Sequence, residues 1–155
     1  MEIDVKINGK NVHMEVSPEE FLSEALRRYG FLSIRRGCDT SSCGLCTVWV
    51  EEKPVLSCSV PAPRVEGKNV TTIEGLEEEA RKFAEFLTKE GGEQCGYCSP
   101  GFIMTVLAMK KELKDPGEEE INHYLKGNLC RCSGYQSQLR AIKKYLGVDE
   151  HESGK

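Results

Sequence analysis

The sequence predicts an α+β chain: a small mixed sheet carrying one helix over residues 1 to about 74, then an all-helical part. Three observations predict it. The chain opens with alternating apolar residues around Asn8-Gly9, the strongest short-range hairpin signal. Short β-branched runs recur as far as Ile73, and from Leu76 onward only helical periodicity is left. At 155 residues the chain is one domain or two small ones, and two small ones need a staple beyond a hydrophobic core. The formal charge of -4 argues against a polyanion-binding protein. No apolar run approaches the ~20 residues that span a membrane. The segment Met1–Lys10 is charged throughout and lacks the apolar core of a signal peptide, so a cytoplasmic location is expected.

The elements follow in order. Ile3, Val5 and Ile7, then Val12, Met14 and Val16, form the hairpin, with His13 on its solvent face. Ser17-Pro18-Glu19-Glu20 reads as a capping box opening a helix whose Phe21, Leu22, Ala25, Leu26 and Tyr29 would face the core. Arg27 and Arg28 suit its last turn and Gly30 its end. Helix capping is the simpler reading of this basic pair; with Arg35 and Arg36 it would instead form a docking patch. Thr47–Val50 and Pro54–Cys58 read as two strands about a charged turn, and Asn69–Ile73 as another. Helices are predicted over Glu77–Glu90, from Ser99-Pro100 to Leu113, over Glu118–Lys126 with a structural His123, and over Tyr135–Leu146. Phe102, Ile103, Met104, Leu107 and Met109 exceed a single apolar stripe, which marks a buried or interface helix. Asp149–Lys155 reads as a frayed tail. The boundary falls in a linker around Pro61–Gly75, dividing the chain into 1–75 and 76–155.

Eight cysteines split as the elements do, four to each part. Cys38, Cys43 and Cys46 are spaced C-x4-C-x2-C, and Cys58 follows after eleven residues. That is plant-type [2Fe–2S] ferredoxin spacing. Thr40, Ser41, Ser42 and Gly44 are small enough for backbone N–H groups to approach the sulfurs. The second set, Cys95, Cys98, Cys130 and Cys132, runs C-x2-C, then 31 residues, then C-x-C. It would tie helices together at one end. Three cysteines within nine residues are unusual for zinc, whereas the second set alone could hold a structural zinc. Disulfides are disfavoured in a reducing compartment, and Cys95-Gly96-Tyr97-Cys98 lacks the βαβ context of a thioredoxin-like motif.

Three strings carry a resemblance: Gly37-Cys38-Asp39-Thr40-Ser41-Ser42-Cys43-Gly44-Leu45-Cys46-Thr47-Val48, Gln94-Cys95-Gly96-Tyr97-Cys98-Ser99-Pro100-Gly101-Phe102 and Gly127-Asn128-Leu129-Cys130-Arg131-Cys132-Ser133-Gly134-Tyr135. In this order and spacing they resemble the small iron–sulfur subunit of the molybdenum hydroxylases, the family of xanthine dehydrogenase, aldehyde oxidoreductase and aerobic carbon monoxide dehydrogenase. The similarity spans about residues 1 to 146. Ser41 stands where the family often has Gly, and Leu45 where it often has Ala.

The resemblance implies a β-grasp ferredoxin-like domain followed by a four-helix domain, each with a [2Fe–2S] cluster. It implies a large partner with molybdenum–pterin and a medium partner with FAD. Electrons would run from molybdenum through the helical-domain cluster and the ferredoxin-like cluster to FAD or another acceptor. Substrate chemistry would belong to the large subunit, so no catalytic residue is expected in this chain. Gln94 and the sulfur of Cys132 would meet the pterin, with Cys38–Cys46 facing the FAD subunit. An autonomous two-cluster electron carrier is the alternative from another class, and a zinc-stapled interaction module a third.

Overall fold

The computed structural model describes residues 1–148, so the expected tail over 149–155 lies outside the described residues. The first hairpin forms as its alternation demands. Strands β1 (Glu2–Ile7) and β2 (Lys10–Glu15) pair antiparallel with Val5 opposite Val12, and Asn8 and Gly9 both take positive φ, 50° and 80°. Those angles match the right-handed strand twist. A second hairpin joins β3 (Thr47–Val50) to β4 (Lys53–Leu56), its turn made by Glu51 and Glu52, also at positive φ. Strand β5 (Asn69–Thr71) lies between the hairpins, parallel to β1 and antiparallel to β3, giving the order β2-β1-β5-β3-β4.

Helix α1 spans Leu22–Arg28, four residues later than the capping box implies. Glu20 does reach back to the Ser17 N–H at 3.2 Å, but Ser17–Glu20 closes only a turn. The next residues are held by a distant strand-like bridge. Leu22 N–H donates to Val60 O and Ala62 N–H donates to Glu20 O, which keeps Phe21 extended. Phe21 and Tyr29, expected in the core, are on the surface. The Tyr29 hydroxyl instead accepts from Glu15 N–H at 2.8 Å. The two arginines staple neighbouring segments. Arg27 donates to Ile34 O, and Arg28 pairs with Glu20 and reaches Glu15 O. The exposed His13 bonds Asp4.

Thr47–Val50 is apolar on consecutive residues because both faces of the sheet are covered there. Val48 joins the core formed by Ile3, Val5, Met14, Leu22, Leu26 and Val70 under α1. Trp49 points the other way, into a second core with Phe83, Leu87, Met104, Ile121 and Ile142. That core belongs to helices α2 (Glu77–Lys89), α3 (Ser99–Glu112), α4 (Glu118–Tyr124) and α5 (Gln136–Leu146). Helix α3 lies between β3 and the other helices, and Gly101 through Met109 are all buried. Its all-round apolarity is therefore satisfied within the chain rather than at a partner interface. The Trp49 indole N–H donates to Met104 O at 3.0 Å, fixing the depth of the contact. His123 is exposed on α4. No described helix is long and apolar enough to cross a membrane.

Candidate metal centres

The structure gathers the eight cysteines, all free thiols, into two cups of four. Cys38, Cys43, Cys46 and Cys58 line the first, with Phe21 and Ile34 on its wall. Cys38, Cys43 and Cys46 come from the irregular segment between α1 and β3. Cys58 was expected on a strand, but β4 stops at Leu56 and Ser57–Ser59 form a 3-10 turn. The Ser57 hydroxyl and N–H both donate to Cys46 O, at 2.6 and 3.3 Å. That turn brings Cys58 over the loop, where its thiol meets the Ser41 hydroxyl at 3.5 Å.

The small residues of the loop act as anticipated. Ser42 N–H donates to Cys38 Sγ at 3.4 Å, and together with backbone donation from Thr40 it lowers the Cys38 thiol to about 6. Burial pushes Cys43 up and Cys46 up to about 11. Ser41 sits at φ 54°, a conformation Gly adopts without strain.

The second cup is lined by Cys95, Cys98, Cys130 and Cys132 with Tyr97, Leu129 and Tyr135, and Cys43 and Leu45 of the first loop reach its wall. Cys98 caps α3, where the helix dipole favours an anion. Tyr97 N–H donates to Cys95 Sγ, and the Ser133 N–H and hydroxyl donate to Cys130 Sγ, at 3.2–3.4 Å. Burial alone would raise the Cys130 thiol, but the Ser133 donors outweigh it and lower it. Cys98 is pushed up to about 12 by burial and by Cys130 and Cys95. Tyr135, held at φ 69°, accepts from Cys130 N–H through its hydroxyl at 3.1 Å. Gln94 and Cys132 both lie on the surface of this cup's loops.

Backbone joins the two cups. Leu129 N–H, next to Cys130, donates to Cys43 O at 2.9 Å. Gly44, at φ 75°, lies so close to the 127–128 segment that a Cβ would come 2.3 Å from Gly127 O. A Cβ on Gly101 would come 2.4 Å from Gly44 O. Arg35 donates to Gly96 O and stacks 5.0 Å over the Tyr97 ring, while the Tyr97 hydroxyl donates to Arg36 O at 2.8 Å. Arg35 thus bridges the cups, whereas Arg36 turns to Asp39. Sequence reasoning missed Tyr97, Asn128 and Gly101 as parts of this junction. Only Gly101, a glycine in the first turn of a helix, carried a signal of close approach.

Among the described residues, no three His, Cys, Asp or Glu side chains are close-set enough to hold a single metal ion. The donor chemistry fits a [2Fe–2S] group. Each cup offers four thiols for two irons, glycine or serine where a bulky side chain would obstruct, and N–H donors aimed at sulfur.

Comparison with known proteins agrees. Residues 5–88 match the family described as 2Fe-2S iron-sulfur cluster binding domain, and residues 72–143 that described as [2Fe-2S] binding domain. The chain is 42% identical over 148 residues to the xanthine dehydrogenase iron-sulfur-binding subunit of Escherichia coli O157:H7, covering 90% of this chain and 91% of that one. It is 35% identical over 144 residues to the nicotinate dehydrogenase small FeS subunit of Eubacterium barkeri, covering 91% and 92%. The crystal structure of quinoline 2-oxidoreductase from Pseudomonas putida 86 superposes with a TM-score of 0.85 at 33% identity, covering 92% of this chain and 90% of that chain.

Proposed function

Since the chain belongs to the family of small iron–sulfur subunits of the molybdenum hydroxylases, we propose that it binds one [2Fe–2S] cluster in each cysteine cup and is the electron-transfer subunit of such a complex. The observation that carries this is the gathering of eight cysteines into two cups of four, each with N–H donors aimed at its sulfurs. In this reading residues 1–75 are the ferredoxin-like domain and 76–155 the helical domain. Cys38, Cys43, Cys46 and Cys58 ligate one cluster, and Cys95, Cys98, Cys130 and Cys132 the other. When bound, a [2Fe–2S] cluster supplies a site that accepts and returns one electron.

The chain's own residues hold those sites, shield them and fix their spacing. With clusters bound, the helical cup would stand on the side of a molybdenum–pterin centre on a large subunit, and the first cup on the side of FAD on a medium subunit or of another acceptor, so that the chain would relay electrons between them. The complex is placed in the cytoplasm, where thiols stay reduced. Tyr97, Leu129 and Tyr135, exposed large residues on the rim of the helical cup, suit burial under a partner better than the life of an autonomous carrier. Purified protein is expected to contain about four iron and four acid-labile sulfide per chain, two of each per cluster. Stoichiometric zinc with little iron would sink the reading.

Gln94 and Cys132 meet the pterin in this reading. An amide both donates and accepts, so Gln94 matches a pterin edge. Gln94→Ala is expected to slow cluster reduction by substrate or weaken cofactor retention in the complex, with both clusters still assembled. Unchanged turnover and cofactor content would place the pterin elsewhere.

A further inference from the structure

We propose that Gln138 sets the reduction potential of the helical-domain cluster, by directing its buried side-chain amide at the sulfur of Cys98. The inference rests on the reading that Cys98 ligates that cluster.

Buried polar side chains are few among the described residues: Thr47, Ser57, Thr72, Thr105 and Gln138. Thr47, Ser57 and Thr105 donate to backbone carbonyls, and Thr72 accepts from Asn8. Gln138 alone carries an amide. It is 3% exposed on the inward face of α5, beside Leu139, Ala141 and Ile142. An amide at such a position is costly unless a polar group answers it. Its Nε2 stands 3.9 Å from Cys98 Sγ, across forty residues of sequence.

The other sulfurs of this cup receive donors differently. Cys95 takes its N–H from Tyr97, and Cys130 takes its N–H from Ser133, both supplied by the ligand loops themselves. The donor to Cys98 comes from a separate helix through a side chain, so it can change without altering the loop that binds the iron. At 3.9 Å the contact is long for a hydrogen bond, and Gln138 acts as an oriented amide dipole in a medium of low dielectric.

The sign follows. Uptake of one electron adds one negative charge to the cluster and its four thiolates. The positive end of an amide dipole stabilises that added charge and raises the potential. An apolar side chain of similar volume removes the dipole and lowers it.

The experiment is a dithionite titration of the full chain in its purified complex, followed by electron paramagnetic resonance, for wild type, Gln138→Leu and Gln138→Glu. The ferredoxin-like signal serves as internal reference. Gln138→Leu is expected to disfavour reduction of the helical cluster by about tenfold, or 59 mV for one electron, while the reference stays put. Gln138→Glu is expected to shift it further in the same direction. An unmoved helical midpoint in Gln138→Leu overturns the proposal, as do equal shifts of both signals. Loss of the helical signal with the reference intact also overturns it, since Gln138 would then serve assembly. Wild type without two signals would instead sink the two-cluster reading.

Discussion

Cys130→Ser abolishes one of two electron paramagnetic resonance signals in the reduced protein and leaves the other as it was, with iron falling from about four to about two per chain. Cys58→Ser does the reverse. The selectivity follows from the placement of the thiols. Cys130 sits between α4 and α5 and lines only the second cup, whereas Cys58 sits on the turn after β4 and lines only the first. Each cup rests on its own apolar core, one under α1 and one among α2 to α5. Losing a cluster therefore leaves the opposite core in place, and circular dichroism should show both variants folded. Loss of both signals from a folded variant would contradict independent sites.

Gly44→Ala lowers stability by about 2–5 kcal/mol, with a fall in Tm of about 10 °C. Two causes add. A positive φ of 75° strains any residue with a Cβ, and that Cβ would lie 2.3 Å from Gly127 O and 2.7 Å from Asn128 Nδ2. Gly127 O is backbone, so it cannot step aside by changing rotamer. Gly91→Ala separates the causes. Gly91 has a similar φ of 67° with nothing within 4 Å of the added carbon, so it should lose only about 1 kcal/mol. Thermal unfolding of both variants decides the matter, and equal losses would show that the clash is relieved by loop movement.

Much of this was legible in the sequence because the signals were local. Asn8-Gly9 fixed a two-residue turn, and the spacing of Cys38, Cys43 and Cys46 put three thiols on one loop. What was lost depends on contacts between distant residues. The capping box at Ser17–Glu20 is real as a local hydrogen bond, yet α1 starts later because Val60 and Ala62 bridge the intervening backbone. Cys58 looked like the end of a strand, but Ser57 turns the chain by bonding Cys46 O. The apolar surplus on α3 was readable, but not its cover, since Trp49 reaches it from the opposite face of β3. Gln138 carries no local signal of its burial, and nothing nearby in sequence says that Cys98 faces it.

The seat of Gly44 against Gly127 and Asn128 also bears on how such chains can be recombined. The surfaces of the two halves can drift separately, since substitutions there touch one core or the other. At this seat the nearest approach is main chain against main chain, so no side-chain trimming can relieve it. A chimera taking its first half from one relative and its second from another should tolerate a crossover in the 61–75 linker only when both parents carry the same backbone path at residues 44 and 127. Where they do not, each half would fold and load its iron, yet the two would no longer close on each other.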